Sequence, residues 1–200
     1  MTDYKDFQLL ENPLESFKNW FNEAQTKEDN APAMTLSSID YTLNRPISRT
    51  VLLKGITDEG LIFYSNYQSH KAHDFEKNNE ACLVFYWHHS KKQVRIQGRV
   101  VKTSREISKA YFDSRDRQSQ LASYMSEQSS PVADKAALIK KLDEVSKKFE
   151  NLPVELPENW GGYLFLPYEF EFFLYGDYRI NDRFLYEKEN SSWKITRLQP

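Results

Sequence analysis

A change of period constrains this chain more than any other feature. From Ala33 to about Thr103, apolar and polar residues alternate in short runs. Turn clusters at Asn44-Arg45-Pro46, Thr57-Asp58-Glu59-Gly60 and Ser90-Lys91-Lys92 cut the runs apart. A two-residue period broken by tight turns predicts a meander of antiparallel strands, clearest over 48–54, 61–65, 80–87 and 93–102. One short helix is expected near 69–77. Helical composition then takes over at 105–115 and 134–149, with a polar loop over 126–131 between them. Strand character returns at 161–166, 169–175, 183–187 and 193–198, with turns at Gly176-Asp177 and Asn190-Ser191-Ser192. Strands that give way to helices and then resume describe a mainly β fold with flanking α, a small antiparallel barrel with helices outside it. The period alone does not set the strand order.

Ahead of the strands, Asn12-Pro13-Leu14-Glu15 reads as a helix start: Asn12 caps, Pro13 takes the first turn and Glu15 completes a capping box. Leu14, Phe17, Trp20 and Phe21 then form an apolar stripe that packs a core. A single domain over 1–200 is expected, with 1–11 as a flexible arm. The 27 basic and 29 acidic residues leave a net charge of -2, so no global field favours nucleic acid or an anionic membrane. No apolar run approaches the roughly 18 residues a bilayer span requires. The Met1-Thr2-Asp3-Tyr4-Lys5 start lacks a secretory pattern, and a cytoplasmic location is expected. Cys82, the one cysteine, reads as a small core residue.

Three constellations could carry chemistry. In the stretch Tyr111 to Ser119, the phenol of Tyr111 and the guanidinium of Arg115 are spaced to share a helix face, with the Ser119 hydroxyl just beyond. Such donors suit a phosphate dianion. A solvated helix surface with Arg117 paired to Asp113 is the alternative. In Arg49-Thr50-Val51-Leu52-Leu53-Lys54, two cations bracket an apolar strand, and strict alternation puts Arg49 and Lys54 on opposite faces unless the strand bends. They read either as anion contacts or as snorkelling surface cations. Arg179, Asn181 and Arg183 would share one face of an extended segment while Ile180 and Asp182 point away, or else belong to a surface turn. His88 and His89 should point to opposite faces of a strand, and no Cys or His spacing matches a metal site. With six glycines and no G-x-G-x-x-G, a dinucleotide fold is not supported.

Together these segments resemble the pyridoxamine 5′-phosphate oxidase family over about 12–200. The resemblance is carried by residues 49–54, Phe63-Tyr64-Ser65-Asn66, Ser69-His70-Lys71-Ala72-His73, Gln93-Val94-Arg95, residues 111–119, Gln128-Ser129-Ser130, Trp160-Gly161-Gly162, residues 179–183 and Trp193-Lys194-Ile195. It implies an FMN-binding split β-barrel, working as a homodimer with flavin at the subunit interface. By position, Arg49, Thr50, Val51, Leu52, Leu53, Lys54, Tyr64, Ser65, His70, Lys71, Gln93, Gln128, Ser129, Phe173 and Arg183 would hold FMN. Lys54, Tyr111, Arg115 and Ser119 would grip a substrate phosphate, with Arg179 and Asn181 over its ring as the catalytic pair. The implied reaction oxidises a phosphorylated B6 vitamer to pyridoxal 5′-phosphate, with O₂ as acceptor and hydrogen peroxide as by-product.

The chain departs from the family pattern at three places. Asn181 replaces a histidine and cannot relay a proton in the neutral range. Phe172-Phe173-Leu174-Tyr175 replaces Phe-Trp-Gln-Gly, and His70 stands where an arginine is usual. Two other functions stay open at this point: a flavin oxidase of another reduced heterocycle, as in phenazine-pathway relatives, and a non-catalytic binder of pyridoxal 5′-phosphate or FMN.

Overall fold

The structure is a computed structural model and describes residues 7–200. Helix α1 (Pro13–Gln25) leads into strands β1 (Ala33–Asp40), β2 (Arg45–Leu52), β3 (Gly55–Ile56) and β4 (Leu61–Asn66). Helix α2 (His70–Lys77) precedes β5 (Glu80–Trp87) and β6 (Lys92–Lys102). Three helices follow, α3 (Arg105–Ser114), α4 (Arg117–Met125) and α5 (Lys135–Lys148), before β7 (Trp160–Leu174), β8 (Asp182–Glu189) and β9 (Ser192–Leu198).

All strand pairs are antiparallel, and the main path runs β2-β1-β5-β6-β7-β4-β3. Between its ends the chain itself turns from β2 into β3, and the Lys54 amide donates 2.8 Å to Ile62 O, which curls the sheet toward a barrel. The opening lies on β7. Its first half pairs with β4, from Asn66↔Trp160 to Leu61↔Phe165, and its second half with β8, from Glu169↔Glu187 to Leu174↔Asp182. A bulge at Gln97/Gly98 marks the division on β6. There a Cβ on Gly98 would sit 2.4 Å from Leu166 O, so only glycine permits the approach. Two strands were expected over this stretch; Pro167 falls at the bulge, where a missing N–H is tolerated, and β7 continues through it.

Inward positions fill the core with Leu83, Phe85, Ile96, Phe165, Phe170 and Phe172, all fully buried. Helix α1 plugs one end, with Trp20 edge-on to Phe172 at 5.1 Å. Asn12 Oδ1 accepts from Leu14 N as expected, whereas Glu15 faces Lys18 at 3.9 Å rather than closing a capping box. A second apolar cluster, built on Phe112, Leu121, Phe149 and Trp160, lies where α3, α4 and α5 meet β7.

Several expectations need correction. Within the expected arm, Leu9 is fully buried and Tyr186 donates to Leu10 O at 3.0 Å, so the chain is anchored at these two positions; residues 1–6 lie outside the described residues. Cys82 is only half-buried, on the outward face of β5, and burial pushes its thiol up, away from the reactive thiolate. His88 and His89 sit in the turn after β5, not on the strand. Among the described residues, no helix is long and apolar enough to cross a membrane.

Candidate functional site

A cavity of about 650 Å³ opens between β2, β4, the start of α2, α3, α4 and the 126–129 loop. Of the residues picked out from sequence, Arg49, Thr50, Val51, Leu52, Lys54, Tyr64, Ser65, His70, Lys71, Tyr111, Arg115, Gln128 and Ser129 line it. Arg49 and Lys54 therefore share one cavity despite their odd spacing. Strand β2 ends at Leu52, so alternation stops before Lys54. Leu53 turns into the core instead and does not face the cavity.

At one end stands Lys71, with only 8% of its surface exposed. Its Nζ donates to Ser65 Oγ at 2.8 Å, Ser69 Oγ at 3.0 Å and Gln128 Oε1 at 2.8 Å, all neutral acceptors. Burial, and then the nearby Arg49, hold the ammonium down to about 8. Because Ser69 Oγ is committed to Lys71, it makes no cap bond to α2, whose first turn opens beside His70 and Ser129. A buried ammonium without a carboxylate, next to a helix N-terminus, is a site short of an anion.

At the other end, Tyr64, Tyr111 and Trp160 form a stack of near-parallel rings, Tyr64 lying 3.9 Å from Tyr111 and 5.4 Å from Trp160. Arg115 lies 5.0 Å over the Trp160 ring and donates to Ser123 Oγ at 2.6 Å. The single helix expected over 105–115 breaks here: Arg115 is extended at ψ 153, Asp116 caps α4, and Ser119 sits in the first turn of that second helix. Tyr111 and Arg115 thus reach the same cavity by a helix-to-helix corner rather than along one face. Ser119 is half-buried but outside the cavity lining. The alternative pair of Arg117 with Asp113 is absent. Asp113 takes Lys109 at 2.6 Å, and Arg117 donates to Phe149 O and Leu152 O.

The remaining candidates form a separate strip. Gln93, Phe173 and Arg183 are register neighbours across β6, β7 and β8, away from the cavity. Arg183 is not an unpaired cation: it donates to Glu171 Oε1 at 2.9 and 2.8 Å and lies 5.7 Å over Phe173. Arg179 and Asn181 do not extend from it as expected. They belong to a compact turn in which Tyr178 and Arg179 have φ of 57° and 62°, and Asn181 Oδ1 accepts from Gly176 N at 3.1 Å. Tyr178, at the tip, is 96% exposed.

Sequence reasoning assigned no role to Asn66, Ser123 or Trp160, which also line the cavity. Asn66 and Trp160 fall within segments that carry the family resemblance, but nothing in the local pattern marks Ser123, which reaches Arg115 only because α4 packs back on α3.

The chain matches the model described as pyridoxamine 5′-phosphate oxidase over residues 22–149 and that of the pyridoxine 5′-phosphate oxidase C-terminal dimerisation region over residues 160–200. It is 44% identical to a pyridoxine/pyridoxamine 5′-phosphate oxidase of Coxiella burnetii, covering 96% of this chain and 97% of that protein. Another of that name, from Legionella pneumophila strain Paris, is 43% identical over 99% of this chain and 94% of its own length. The fold is similar to that of PhzG from Burkholderia lata 383, solved with tetrahydrophenazine-1-carboxylic acid, with a TM-score of 0.91 at 24% identity over 100% of this chain and 98% of that one. An FMN-binding protein of Nostoc punctiforme superposes with a TM-score of 0.78 at 15% identity over 96% and 100% of the two chains. With a split barrel, a cavity short of an anion and these matches along nearly its whole length, the chain belongs to the pyridoxamine 5′-phosphate oxidase family.

Proposed function

We propose that this chain oxidises pyridoxamine or pyridoxine 5′-phosphate to pyridoxal 5′-phosphate, using FMN and passing the electrons to O₂, as a homodimer. One observation carries the reading furthest. The buried Lys71 ammonium has only neutral partners and sits at the open start of α2, so a phosphate there would supply the missing charge. The residues present fit FMN: Lys71, Arg49, His70, Ser65 and Ser129 surround a phosphate position, and the β2 wall from Thr50 to Leu52 flanks space for a planar ring.

When bound, the flavin supplies the hydride acceptor for C4′ of the vitamer and returns the electrons to O₂ as hydrogen peroxide. The protein's own share is binding and orientation. Lys54, Tyr111 and Arg115 face one cavity and present an ammonium, a phenol and a guanidinium to a second phosphate, with Ser119 able to join from the first turn of α4. Gripping the phosphate at that end fixes which carbon of the ring reaches the flavin. The Gln93, Phe173 and Arg183 strip, with Arg179 and Asn181 beyond it, closes the cavity of the second copy over flavin and substrate ring. The dimerisation match over 160–200 and the exposed 176–181 turn support this arrangement. Asn181 stabilises that turn and takes no proton, so Arg179 is the ring-facing charge.

Steady-state oxygen uptake tests the reading. Pyridoxine 5′-phosphate should drive O₂ consumption with matching hydrogen peroxide and aldehyde, whereas unphosphorylated pyridoxine should require far higher concentration. Equal use of both, or turnover only with a reduced phenazine carboxylate, would refute it.

A further inference from the structure

Two buried carboxylates stand behind the cavity wall and touch nothing in it. Asp40 at the end of β1 is 1% exposed and Asp74 on α2 is 3% exposed, and neither lines the cavity. Asp40 Oδ1 accepts from Leu43 N at 2.9 Å, which leaves Oδ2 facing His70 Nε2 at 3.4 Å. Asp74 Oδ1 lies 4.0 Å from the same nitrogen. Its Oδ2 accepts from Ser38 Oγ at 3.2 Å and lies 3.8 Å from Arg49 Nη2, while Arg49 Nη1 donates to Ser38 Oγ at 2.7 Å. Two carboxylates so deeply buried are costly unless basic groups answer them, and the side chains that face them, Arg49 and His70, are both on the cavity wall.

We infer that Asp40 and Asp74 are positioning residues for the cofactor phosphate, acting through His70 and Arg49. The inference rests on the placement of that phosphate beside Lys71. When both ring nitrogens carry protons, Nε2 faces the two carboxylates and Nδ1, which has no protein partner among the described residues, is free to donate. In that form His70 supplies the charge that an arginine would carry at this position. Asp74 aims Arg49 at the same time, directly and through Ser38. One carboxylate thus serves two contacts on different elements, α2 and β2.

The opposite expectation is also physical: two negative charges behind a phosphate site could simply repel the phosphate. Equilibrium binding of FMN and of riboflavin, followed by quenching of flavin fluorescence on the refolded apoprotein, separates the two. The ratio of the two dissociation constants isolates the phosphate contribution, and riboflavin affinity reports whether the fold has survived. Asp40→Asn and Asp74→Asn should each reduce the ratio about tenfold or more, the loss of a charge-assisted contact, with riboflavin binding unchanged. Asp74→Glu should recover part of it. In a His70→Ala background, Asp40→Asn should add nothing, because Asp40 acts only through His70, whereas Asp74→Asn should still weaken FMN through Arg49.

Tighter FMN binding in either Asn variant overturns the inference, as does full additivity of Asp40→Asn with His70→Ala. So does a wild-type FMN affinity that collapses with EDTA, since the three side chains converge closely enough to hold a cation and would then be metal ligands. If wild-type protein binds FMN no better than riboflavin, the phosphate placement itself fails and this inference falls with it. A wild-type preference for FMN that survives both Asn substitutions removes the inference alone.

Discussion

Tyr64 and Tyr111 stack with their ring centroids 3.9 Å apart and their planes within 16°, joining β4 to α3 across the cavity wall. The pair links the two halves of the site, because Tyr64 precedes Ser65, which accepts from Lys71 Nζ, while Tyr111 stacks with Trp160, over which Arg115 lies. Stacked rings of this kind contribute about 0.5–1.5 kcal/mol beyond the area they bury. Burial, with Tyr111 and Tyr67 close by, pushes the Tyr64 phenol up, so it remains a neutral donor.

Tyr111→Phe keeps the stack and deletes only the hydroxyl. Steady-state kinetics on the holoenzyme should show KM for pyridoxine 5′-phosphate rising about three- to tenfold, the value of one neutral hydrogen bond, with FMN affinity unchanged. Tyr111→Ala removes the stack as well and should weaken FMN too. Equal KM values for wild type and Tyr111→Phe would place the phenol outside the substrate site.

Lys71 gives FMN binding a pH limb. In the folded apoprotein its ammonium is held down to about 8 from the ordinary 10.5, so the cation is present below that value and lost above it. A phosphate dianion binds the protonated form. The FMN dissociation constant should therefore rise above pH about 8, by up to about tenfold per pH unit. Riboflavin titrated alongside should stay level, and Lys71→Met should bind FMN weakly with no such limb. For apoprotein stability the sign is opposite. The unfolded chain holds this proton more firmly, so between about 8 and 10.5 the Lys71 contribution grows more favourable as pH rises.

Glu171 is the structural keystone of the second strip. Its side chain is 4% exposed, with one oxygen 2.5 Å from Arg95 Nη2 and the other taken by Arg183. Glu171→Gln would leave two neighbouring guanidinium groups without their shared anion. Both arginines are partly exposed, so water would recover some of the loss. Urea denaturation should show about 1–3 kcal/mol of destabilisation. The same variant should weaken dimer association, measured by sedimentation, because Arg183 loses its anchor. A full-stability dimer would show that the arginines need no partner here.

Much of the barrel was legible because its signals are local. Asn12 caps α1, Asp134 caps α5 with its Oδ1 on Ala137 N at 2.7 Å, and the turns bounded β4, β5 and β6 closely. What the sequence concealed depends on tertiary contact. Helix α4 was missed because Arg115-Asp116 interrupts one helix and caps the next without any Gly or Pro to mark the boundary. The continuity of β7 was hidden by Pro167, which reads as a strand break until β6 supplies the bulge opposite it. An extended reading of 179–183 failed because one side-chain amide, Asn181 to Gly176, folds the turn back on itself. Asp40 and Asp74 carried no signal at all: 34 positions apart in sequence, they meet only through His70.

Anaerobic reduction of the flavin tests the central claim most directly. Purified with FMN, the protein should be yellow, and one equivalent of pyridoxine 5′-phosphate added without oxygen should bleach the visible flavin band within a turnover, with colour returning on admission of air. A band that persists while the vitamer binds tightly would contradict the account, since the cavity would then hold both phosphates without bringing the reacting carbon to the flavin.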